Sequence, residues 1–181
     1  MKRVFLDMDG VLSDFIGGVL DLFEMPNAVW PDGVKDMTKV IGQDKVDVWN
    51  KISNTPGFWA NLKKTPECDN IIETVKKYYA NENIFILTSP SLDPKCLEEK
   101  YRWISNNLPR FFRRQYLMGP PKYLCANRDS TLIDDHETNC NDFRNHGGHA
   151  FLFPRRWNIR SSQEHEAIDV MEAHIVNILE D

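Results

Sequence analysis

The sequence predicts an α/β protein with an open, mainly parallel sheet, helices on both faces of that sheet, and a small helical insertion after the first strand. Short apolar runs alternate with segments of helical periodicity along most of the 181 residues. This alternation is typical of parallel strands joined by crossover helices. An irregular stretch rich in turn-forming residues interrupts it between residues 26 and 66. A chain of this length can hold one core of ordinary size and a small added lobe.

The N-terminal part of the chain contains the first predicted strand and an acidic turn. Residues 4–6 form a short apolar run, Val-Phe-Leu, that is typical of a buried strand. The next four residues are Asp7-Met8-Asp9-Gly10, and the glycine permits a sharp turn. From Ser13 to about Met25, apolar residues recur at helical spacing and predict an amphipathic helix.

The stretch from Pro26 to Pro66 does not continue the alternation of strands and helices. Turn-forming sequences at Pro31-Asp32-Gly33 and Thr55-Pro56-Gly57 lie on either side of one short helical pattern at residues 46–52. We interpret this stretch as a small helical insertion between the first strand and the rest of the sheet.

Helices and strands alternate regularly from Asp69 onward. The strands are expected at residues 84–87, 116–118, 131–133 and 150–153. Helices are expected between them, one at residues 69–79 and one with an apolar face formed by Leu97, Tyr101, Ile104 and Leu108. The last helix is expected to begin at a capping box formed by Ser161 and Glu164. Parallel pairing of these strands gives a Rossmann-like sheet.

Polar residues follow directly on three of the predicted strands. The three pairs are Asp7 and Asp9, Thr88 and Ser89, and Asp134 and Asp135. Because the carboxyl ends of parallel strands share the edge where ligands bind, we expect these pairs to meet in one crevice. Each pair alone has a structural explanation as a solvated turn, a strand-ending turn or a helix N-cap. Their shared position after strands favours a functional site.

The residue types in this predicted crevice suit phosphate chemistry. Several carboxylates in one crevice repel each other unless a cation neutralises them, and hard oxygen ligands suit Mg²⁺. Thr88 and Ser89 offer hydrogen-bond donors. Lys122 offers a positive charge, although a lone lysine more often lies on the surface. In such a site one aspartate can attack phosphorus while a neighbouring aspartate transfers the proton.

The overall composition limits the class of protein. The formal net charge of −5 disfavours broad binding of nucleic acid. Two arginine clusters, at residues 110–114 and 155–160, still allow local contacts with nucleic acid. The four cysteines are widely spaced and indicate neither a zinc site nor a disulfide framework. The first strand begins too near Met1 for a signal peptide and no apolar run approaches ~20 residues, so we expect a soluble cytoplasmic protein without a membrane segment.

The polar motifs together resemble the haloacid dehalogenase (HAD) superfamily of phosphotransferases. In order along the chain, the motifs are Asp7-Met8-Asp9-Gly10, Thr88-Ser89, Lys122 and Asp134-Asp135. Longer stretches are similar to the 5'(3')-deoxyribonucleotidase family: DMDGVLSDF from Asp7, LTSP from Leu87, EKYRW from Glu99 and LIDD from Leu132. After Asp135 the sequence continues His136-Glu137-Thr138 and departs from the family's usual Arg-Pro.

This resemblance implies a Mg²⁺-dependent phosphomonoesterase for (deoxy)ribonucleoside monophosphates that works through an aspartyl-phosphate intermediate. The expected substrates are pyrimidine 5'-deoxynucleotides such as dUMP and dTMP. The resemblance makes Asp7 the nucleophile and Asp9 the general acid and base. The residues expected to hold the phosphate are Thr88, Ser89 and Lys122. The expected Mg²⁺ ligands are the Asp7 carboxylate, the Asp9 backbone carbonyl, Asp134 and Asp135.

The resemblance also implies two domains and a mode of base recognition. Residues 1–14 and 63–181 would form a HAD-like α/β core domain, and residues 15–62 a helical cap that closes over the crevice. Phe15 matches a base-contacting position of the family, and a base stacks well on a flat aromatic surface. Trp49, Phe58 and Trp59 either contact the base or pack inside the cap. The family further implies a homodimer.

Two other functions stay open at this point. A receiver-like phosphoacceptor signalling module also combines acidic strand ends, a hydroxyl, a lysine and Mg²⁺. The second aspartate of Asp7-Met8-Asp9 argues against it, because that residue supplies a base to hydrolyse a phosphoaspartate. A HAD phosphatase for another small phosphomonoester, or for a nucleic-acid end, would share the core chemistry. A nucleic acid is the less favoured partner because of the net charge.

Overall fold

The computed structural model describes residues 2–180, whose strands form a single parallel sheet. The strands are β1 (Arg3–Leu6), β2 (Ile84–Thr88), β3 (Tyr116–Met118), β4 (Ser130–Asp134) and β5 (His149–Leu152). They lie in the order β3-β2-β1-β4-β5, and every neighbouring pair is parallel. The chain therefore adds strands to one side of β1 first and then to the other, which places the topological switch point between β1 and β4. The predicted parallel α/β sheet is confirmed.

Helices cover both faces of the sheet. The α-helices of the described residues are α1 (Phe15–Leu22), α2 (Met37–Ile41), α3 (Lys45–Ser53), α4 (Cys68–Tyr78), α5 (Lys95–Asn107), α6 (Glu137–Asn145) and α7 (Ala167–Glu180). Alternate side chains of β1 point to opposite faces, as the pleat requires. Val4 and Leu6 join a large core cluster with α4, α5 and α7, whereas Phe5 joins a smaller cluster with α6. No helix among the described residues is long and apolar enough to cross a membrane.

Two sequence predictions about helices are wrong in detail. Residues 161–166 form a 3-10 turn and α7 begins only at Ala167. Ser161 and Glu164 therefore do not form a capping box for that helix, and the Glu164 carboxylate instead accepts the backbone N–H of Arg156 at 3.3 Å. The first helix also ends at Leu22, three residues earlier than expected.

The buried face of α5 differs from the predicted one. Ile104 and Leu108 are buried as expected, whereas Leu97 and Tyr101 are 45% and 40% exposed. The face that packs on the core carries Cys96, Lys100, Trp103 and Ile104 instead. The indole of Trp103 fixes this orientation, because its Nε1 donates to the backbone carbonyl of Leu62 at 2.7 Å.

The chain enters and leaves residues 15–62 through two adjacent stretches. The backbone N–H of Asp14 donates to the carbonyl of Lys63 at 2.8 Å, and Ser13 forms an antiparallel bridge with Lys64. The boundary between the expected core (1–14 and 63–181) and the expected cap (15–62) lies at these two contacts. The division itself stays a prediction. Met1 and Asp181, at the ends of the expected core, lie outside the described residues.

Glu99 of α5 connects the core to the end of the inserted segment. Its carboxylate accepts the backbone N–H groups of Gly57 at 2.8 Å and Trp59 at 3.1 Å. These N–H groups lie around the 3-10 turn Trp59–Asn61, where no side-chain cap is present. Glu99 thus takes the place of a cap for that turn and fixes the position of Trp59.

We expect Glu99→Ala to lower the free energy of unfolding by about 1–3 kcal/mol, because two backbone donors lose a charged acceptor. Glu98→Ala is the matched control, since the exposed Glu98 forms a surface ion pair with Arg102 one turn along the same helix. Its effect should stay below about 0.5 kcal/mol. Urea unfolding followed by circular dichroism measures both values. Equal effects of the two substitutions would contradict the assigned contact.

Candidate active site

Two acidic turns meet where β1 and β4 end. The backbone N–H of Asp7 donates to the carbonyl of Ile133 at 2.9 Å, so the acidic segments that follow both strands begin side by side. Gly10 adopts a positive φ of 78°. A Cβ atom at this position would lie 2.4 Å from Oδ2 of Asp135. Glycine is therefore required both for the turn and for the close approach of the two acidic segments.

Lys122 is buried between the two acidic strand ends. Its side chain is 3% exposed, and its Nζ lies 2.7 Å from Oδ1 of Asp7 and 2.6 Å from Oδ2 of Asp134. This placement excludes the surface location that a lone lysine more often has. One ammonium group thus pairs with two carboxylates.

Asp134 and Asp135 have different surroundings although they are adjacent. The fully buried Asp134 carboxylate accepts hydrogen bonds from Lys122, from the backbone N–H of His136 at 2.8 Å and from the Asn139 amide at 3.0 Å. The Asp135 carboxylate accepts the indole N–H of Trp157 at 2.6 Å and faces the cavity. Asp134 is therefore largely occupied by protein donors, whereas Asp135 remains available to a ligand.

The carboxylates fit a hard divalent cation. Asp7, Asp134 and Asp135 each offer an oxygen within 4.8 Å of the others. Oxygen donors with an incomplete protein shell suit Mg²⁺, which usually keeps several water ligands. Because Asp134 is occupied by donors, Asp7 and Asp135 are the carboxylates best placed to bind the cation. The Asp9 carboxylate accepts hydrogen bonds from Ser13 and Lys100. Its expected contribution to the cation is therefore limited to its backbone carbonyl.

Lys100 is a site residue that sequence reasoning missed. It is fully buried, and its Nζ donates to Oδ2 of Asp9 and, at 3.0 Å, to Oγ1 of Thr88. The same ammonium lies 4.8 Å from the ring centroid of Trp59. A signal was present in the sequence, because Cys96, Lys100 and Trp103 have the spacing of one apolar helix face. A lysine on such a face is buried, and a buried charge requires a partner of opposite charge.

The electrostatics of the site follow from the burial of like charges. Burial raises the pKa of Asp7 to about 7, the neighbouring Asp134 and Asp9 carboxylates add to the rise, and the shared Lys122 only partly opposes it. Burial and the Asp134 and Asp7 carboxylates also hold the pKa of Asp135 well above its ordinary range. Burial alone would lower the pKa of Lys122, but the two facing carboxylates outweigh it and raise that pKa. The site therefore carries an excess of negative charge, which a bound cation would neutralise.

Aromatic rings line one side of the cavity above the acidic groups. Phe15 stacks on Trp59 with ring centroids 5.3 Å apart and on Trp49 at 6.2 Å. The cavity has a volume of about 290 Å³. Phe58 packs edge-on against Phe15 and Trp59 but is not part of its lining.

The structure brings most of the predicted site residues to this one cavity. The predicted residues that line it are Asp7, Asp9, Phe15, Trp49, Trp59, Thr88, Ser89, Lys122 and Asp135. Asp134 lies behind Lys122 and Phe58 behind the other aromatic rings. Sequence reasoning did not assign the remaining lining residues to the site, which include Lys35, His136, Asn139 and Trp157. No motif marks Lys35 or Trp157, because both lie in irregular loops and reach the cavity only through tertiary contacts.

A family model described as "5' nucleotidase, deoxy (Pyrimidine), cytosolic type C protein" matches residues 1–178 of the chain. The chain belongs to this family. It is therefore a hydrolase of the 5'-nucleotidase type, in agreement with the crevice of carboxylates, hydroxyls and lysines described above.

Individual relatives agree with this membership. The chain is 31% identical over 147 residues to the human "5'(3')-deoxyribonucleotidase, cytosolic type", an alignment that covers 75% of this chain and 71% of the human protein. It is 28% identical over 152 residues to the mouse "5'(3')-deoxyribonucleotidase, mitochondrial", which covers 74% of this chain and 64% of the mouse protein. The matched region thus spans about two thirds of the length of these relatives.

Solved structures of low sequence identity share the fold. A haloacid dehalogenase-like family hydrolase from Xanthomonas campestris aligns with a TM-score of 0.53 at 14% identity, over 98% of this chain and 94% of that one. The HAD hydrolase YfnB from Bacillus subtilis, solved with magnesium bound, gives 0.54 at 13% identity over 82% and 85%. The protein therefore has the HAD fold.

The raised pKa of Asp7 makes the stability of the cation-free protein depend on pH. Between its ordinary pKa of 3.8 and a folded-state pKa of about 7, the folded protein binds more protons at Asp7 than the unfolded chain does. Stability contributed by the protonated group is consequently lost as the pH rises through this window, by roughly 4 kcal/mol for the full shift.

We therefore expect Asp7→Asn to become more stable relative to the wild type as the pH rises from 4 to 7, with both proteins kept in EDTA. Urea unfolding at several pH values measures this difference. Asp21→Asn is the control, because Asp21 lies on the surface and pairs with Lys63. A constant stability difference between Asp7→Asn and the wild type over this pH range would contradict the shifted pKa of Asp7.

Proposed function

We propose that the protein is a Mg²⁺-dependent phosphomonoesterase that removes phosphate from (deoxy)ribonucleoside monophosphates, with pyrimidine 5'-deoxynucleotides such as dUMP and dTMP as preferred substrates. One observation carries the proposal. Asp7, at the end of the central strand, lies against a buried lysine and a cavity-facing second carboxylate, with Asp9 two residues further on. The family membership and the names of the two relatives support the choice of substrate.

The reaction would proceed through an aspartyl phosphate. An oxygen of Asp7 attacks phosphorus, forms a new P–O bond and displaces the nucleoside oxygen. Asp9 gives a proton to that leaving oxygen. Asp9 then takes a proton from the water that attacks the phosphoaspartate. The bond between phosphorus and the Asp7 oxygen breaks, which releases free phosphate and restores the Asp7 carboxylate. Ser13 and Lys100 hold the Asp9 carboxylate in place by hydrogen bonds from both sides.

The phosphate oxygens would be held by Thr88, Ser89 and Lys122. Lys122 is fixed by Asp134, so its charge stays at the place where the transferred phosphoryl group becomes more negative. Thr88 accepts a hydrogen bond from Lys100, which leaves its hydroxyl hydrogen free to donate to the phosphate. When bound, Mg²⁺ would neutralise the charge of Asp7 and the phosphate. Its protein ligands would be Asp7, the Asp9 carbonyl and Asp135, with Asp134 in the supporting position behind Lys122.

Residues 15–62 would act as a cap that covers the bound nucleotide. Phe15, Trp49 and Trp59 supply the flat apolar surface that a base requires, and stacking of this kind contributes ~1–3 kcal/mol per base. Phe58 packs behind Phe15 and Trp59, and we assign it the role of supporting their orientation. The cap would therefore determine the preference for the base.

We also propose a cytoplasmic location and a homodimeric assembly. The location is supported by the similarity to a cytosolic-type human protein, and the assembly by the family resemblance alone. Cell fractionation and sedimentation velocity test these two proposals. Recovery in a membrane or organelle fraction, or sedimentation as a 21.1 kDa monomer at all concentrations, would refute the corresponding one.

The proposed function is tested by phosphate release from a panel of nucleoside monophosphates with and without Mg²⁺. We expect multiple turnover that depends on Mg²⁺ and is fastest for dUMP or dTMP. Asp7→Asn should abolish turnover while the fold is preserved, and Asp9→Asn should lower kcat by roughly 10²–10⁴-fold. Asp21→Asn is the matched control and should retain the wild-type rate.

Three results would contradict specific parts of this proposal. Unchanged turnover by Asp7→Asn would exclude Asp7 as the nucleophile. A single stable phosphorylation without turnover would indicate a receiver-like module. Activity on oligonucleotide ends without activity on mononucleotides would indicate a nucleic-acid end phosphatase instead.

A further inference from the structure

The loop at residues 153–160, which follows β5, holds the two acidic turns of the site. Arg155 donates from Nε to the carbonyl of Gly10 at 2.5 Å. Trp157 donates from its indole to Oδ2 of Asp135 at 2.6 Å, and Asn158 donates to the backbone carbonyl of Asp135 at 3.0 Å. Three nearly consecutive residues thus contact the turn after β1 and both the side chain and the backbone of the turn after β4.

The ring of Trp157 leaves the Asp135 carboxylate little freedom. A Cβ atom added at Gly10 would lie 3.0 Å from Cζ2 of Trp157 and 2.4 Å from Oδ2 of Asp135. Oδ2 of Asp135 therefore contacts both the Gly10 backbone and the Trp157 indole, which also lie against each other. A shift of the indole would change the position of the carboxylate oxygen that it contacts.

A segment of the inserted region, residues 30–35, also packs against Trp157. Trp30 contacts the Trp157 ring edge-on, with centroids 6.4 Å apart and an interplanar angle of 75°. Trp30 is itself nearly buried and is fixed by a hydrogen bond from its indole to the carbonyl of Val34 at 2.6 Å. We call residues 30–35 the docking segment.

Two further contacts attach the docking segment to the core next to Trp157. The backbone N–H of Gly33 donates to the carbonyl of Arg156 at 2.6 Å. Lys35 forms an ion pair with Glu137, whose other carboxylate oxygen accepts the backbone N–H of Ile159 at 3.1 Å. Glu137 belongs to the segment where this sequence departs from the Arg-Pro of the related family. The docking segment therefore contacts the loop at 153–160 directly at Arg156 and is linked to Ile159 through Glu137.

We infer that Trp157 is a positioning residue that couples docking of residues 30–35 onto the core to the geometry of the Asp135 carboxylate, and hence to cation affinity. The inference rests on the cation site placed at Asp7 and Asp135 in the proposed function. Groups behind the ligands of a metal commonly change its affinity by about 10–100-fold. Because coupling between two sites is reciprocal, a bound cation should also favour the docked state of the segment.

The test is calorimetric titration of the metal-free full-length chain with Mg²⁺. We expect Trp157→Phe, which keeps an aromatic ring but lacks the indole N–H, to weaken Mg²⁺ binding by at least about tenfold. Trp30→Ala should weaken it by at least about fivefold, because the ring that supports Trp157 is lost. Val29→Ala, at a 73% exposed neighbouring position, is the control.

A further pair of variants keeps the test valid if Trp30→Ala does not fold. Gly33→Ala places a side chain at a position with a φ of 71°, strains the docking segment without a change of charge and should weaken Mg²⁺ binding, whereas Gly42→Ala, with a φ of 72° at the end of α2, should not. Hydrogen exchange gives a readout that a purely structural role of Trp157 would not change. Mg²⁺ should slow exchange of the amides at residues 30–36 in the wild type, and this effect should disappear in Trp157→Phe.

The outcomes separate this inference from the proposed function. A wild-type chain that does not bind Mg²⁺ would refute the cation site and, with it, the inference. Wild-type binding that is unchanged in Trp157→Phe would refute only the positioning role. Weaker binding in Trp157→Phe with unchanged binding in both Trp30→Ala and Gly33→Ala would refute the coupling to the docking segment.

Discussion

The structure of the site depends on one electrostatic constraint, the burial of Asp7 and Asp134 next to each other and next to the half-buried Asp135. Carboxylates in a crevice of low polarity repel one another and favour the protonated form, as the raised pKa values of Asp7 and Asp135 reflect. The single ammonium of Lys122 pairs with two of the three groups. The fold therefore brings together more negative charge than it neutralises, and this excess makes the crevice receptive to a cation.

This constraint also explains how roles are divided among the carboxylates. Lys122 and the donors around it leave Asp134 as an internal support, while Asp135 keeps an oxygen open to the cavity. Asp9, although near enough to raise the pKa of Asp7, pairs with a different lysine, Lys100. Each lysine thus serves a different acidic group, so the four aspartates can have different functions although they lie in two short turns.

The sequence was sufficient to predict the sheet and the residues that follow its strands. Short apolar runs are local signals and their alternation with helices implies parallel order, and together they placed Asp7, Thr88 and Asp135 on one edge of the sheet. Lys100 and Trp157 were not found, because their roles depend on which side of a helix packs inward and on the path of a long loop. The error at Ser161 and Glu164 has a similar origin, since a tertiary contact with Arg156 replaced the local capping interaction.

A crystal structure with Mn²⁺ as an anomalous scatterer tests the central claim most directly. We expect one peak in the crevice, bound by the carboxylates of Asp7 and Asp135, with Lys122 still paired to Asp134. A cation bound by Asp134 in place of Asp135, or bound away from Asp7, would contradict the assigned division of roles. Absence of a peak at saturating Mn²⁺ would contradict the claim that the excess of buried negative charge creates a cation site.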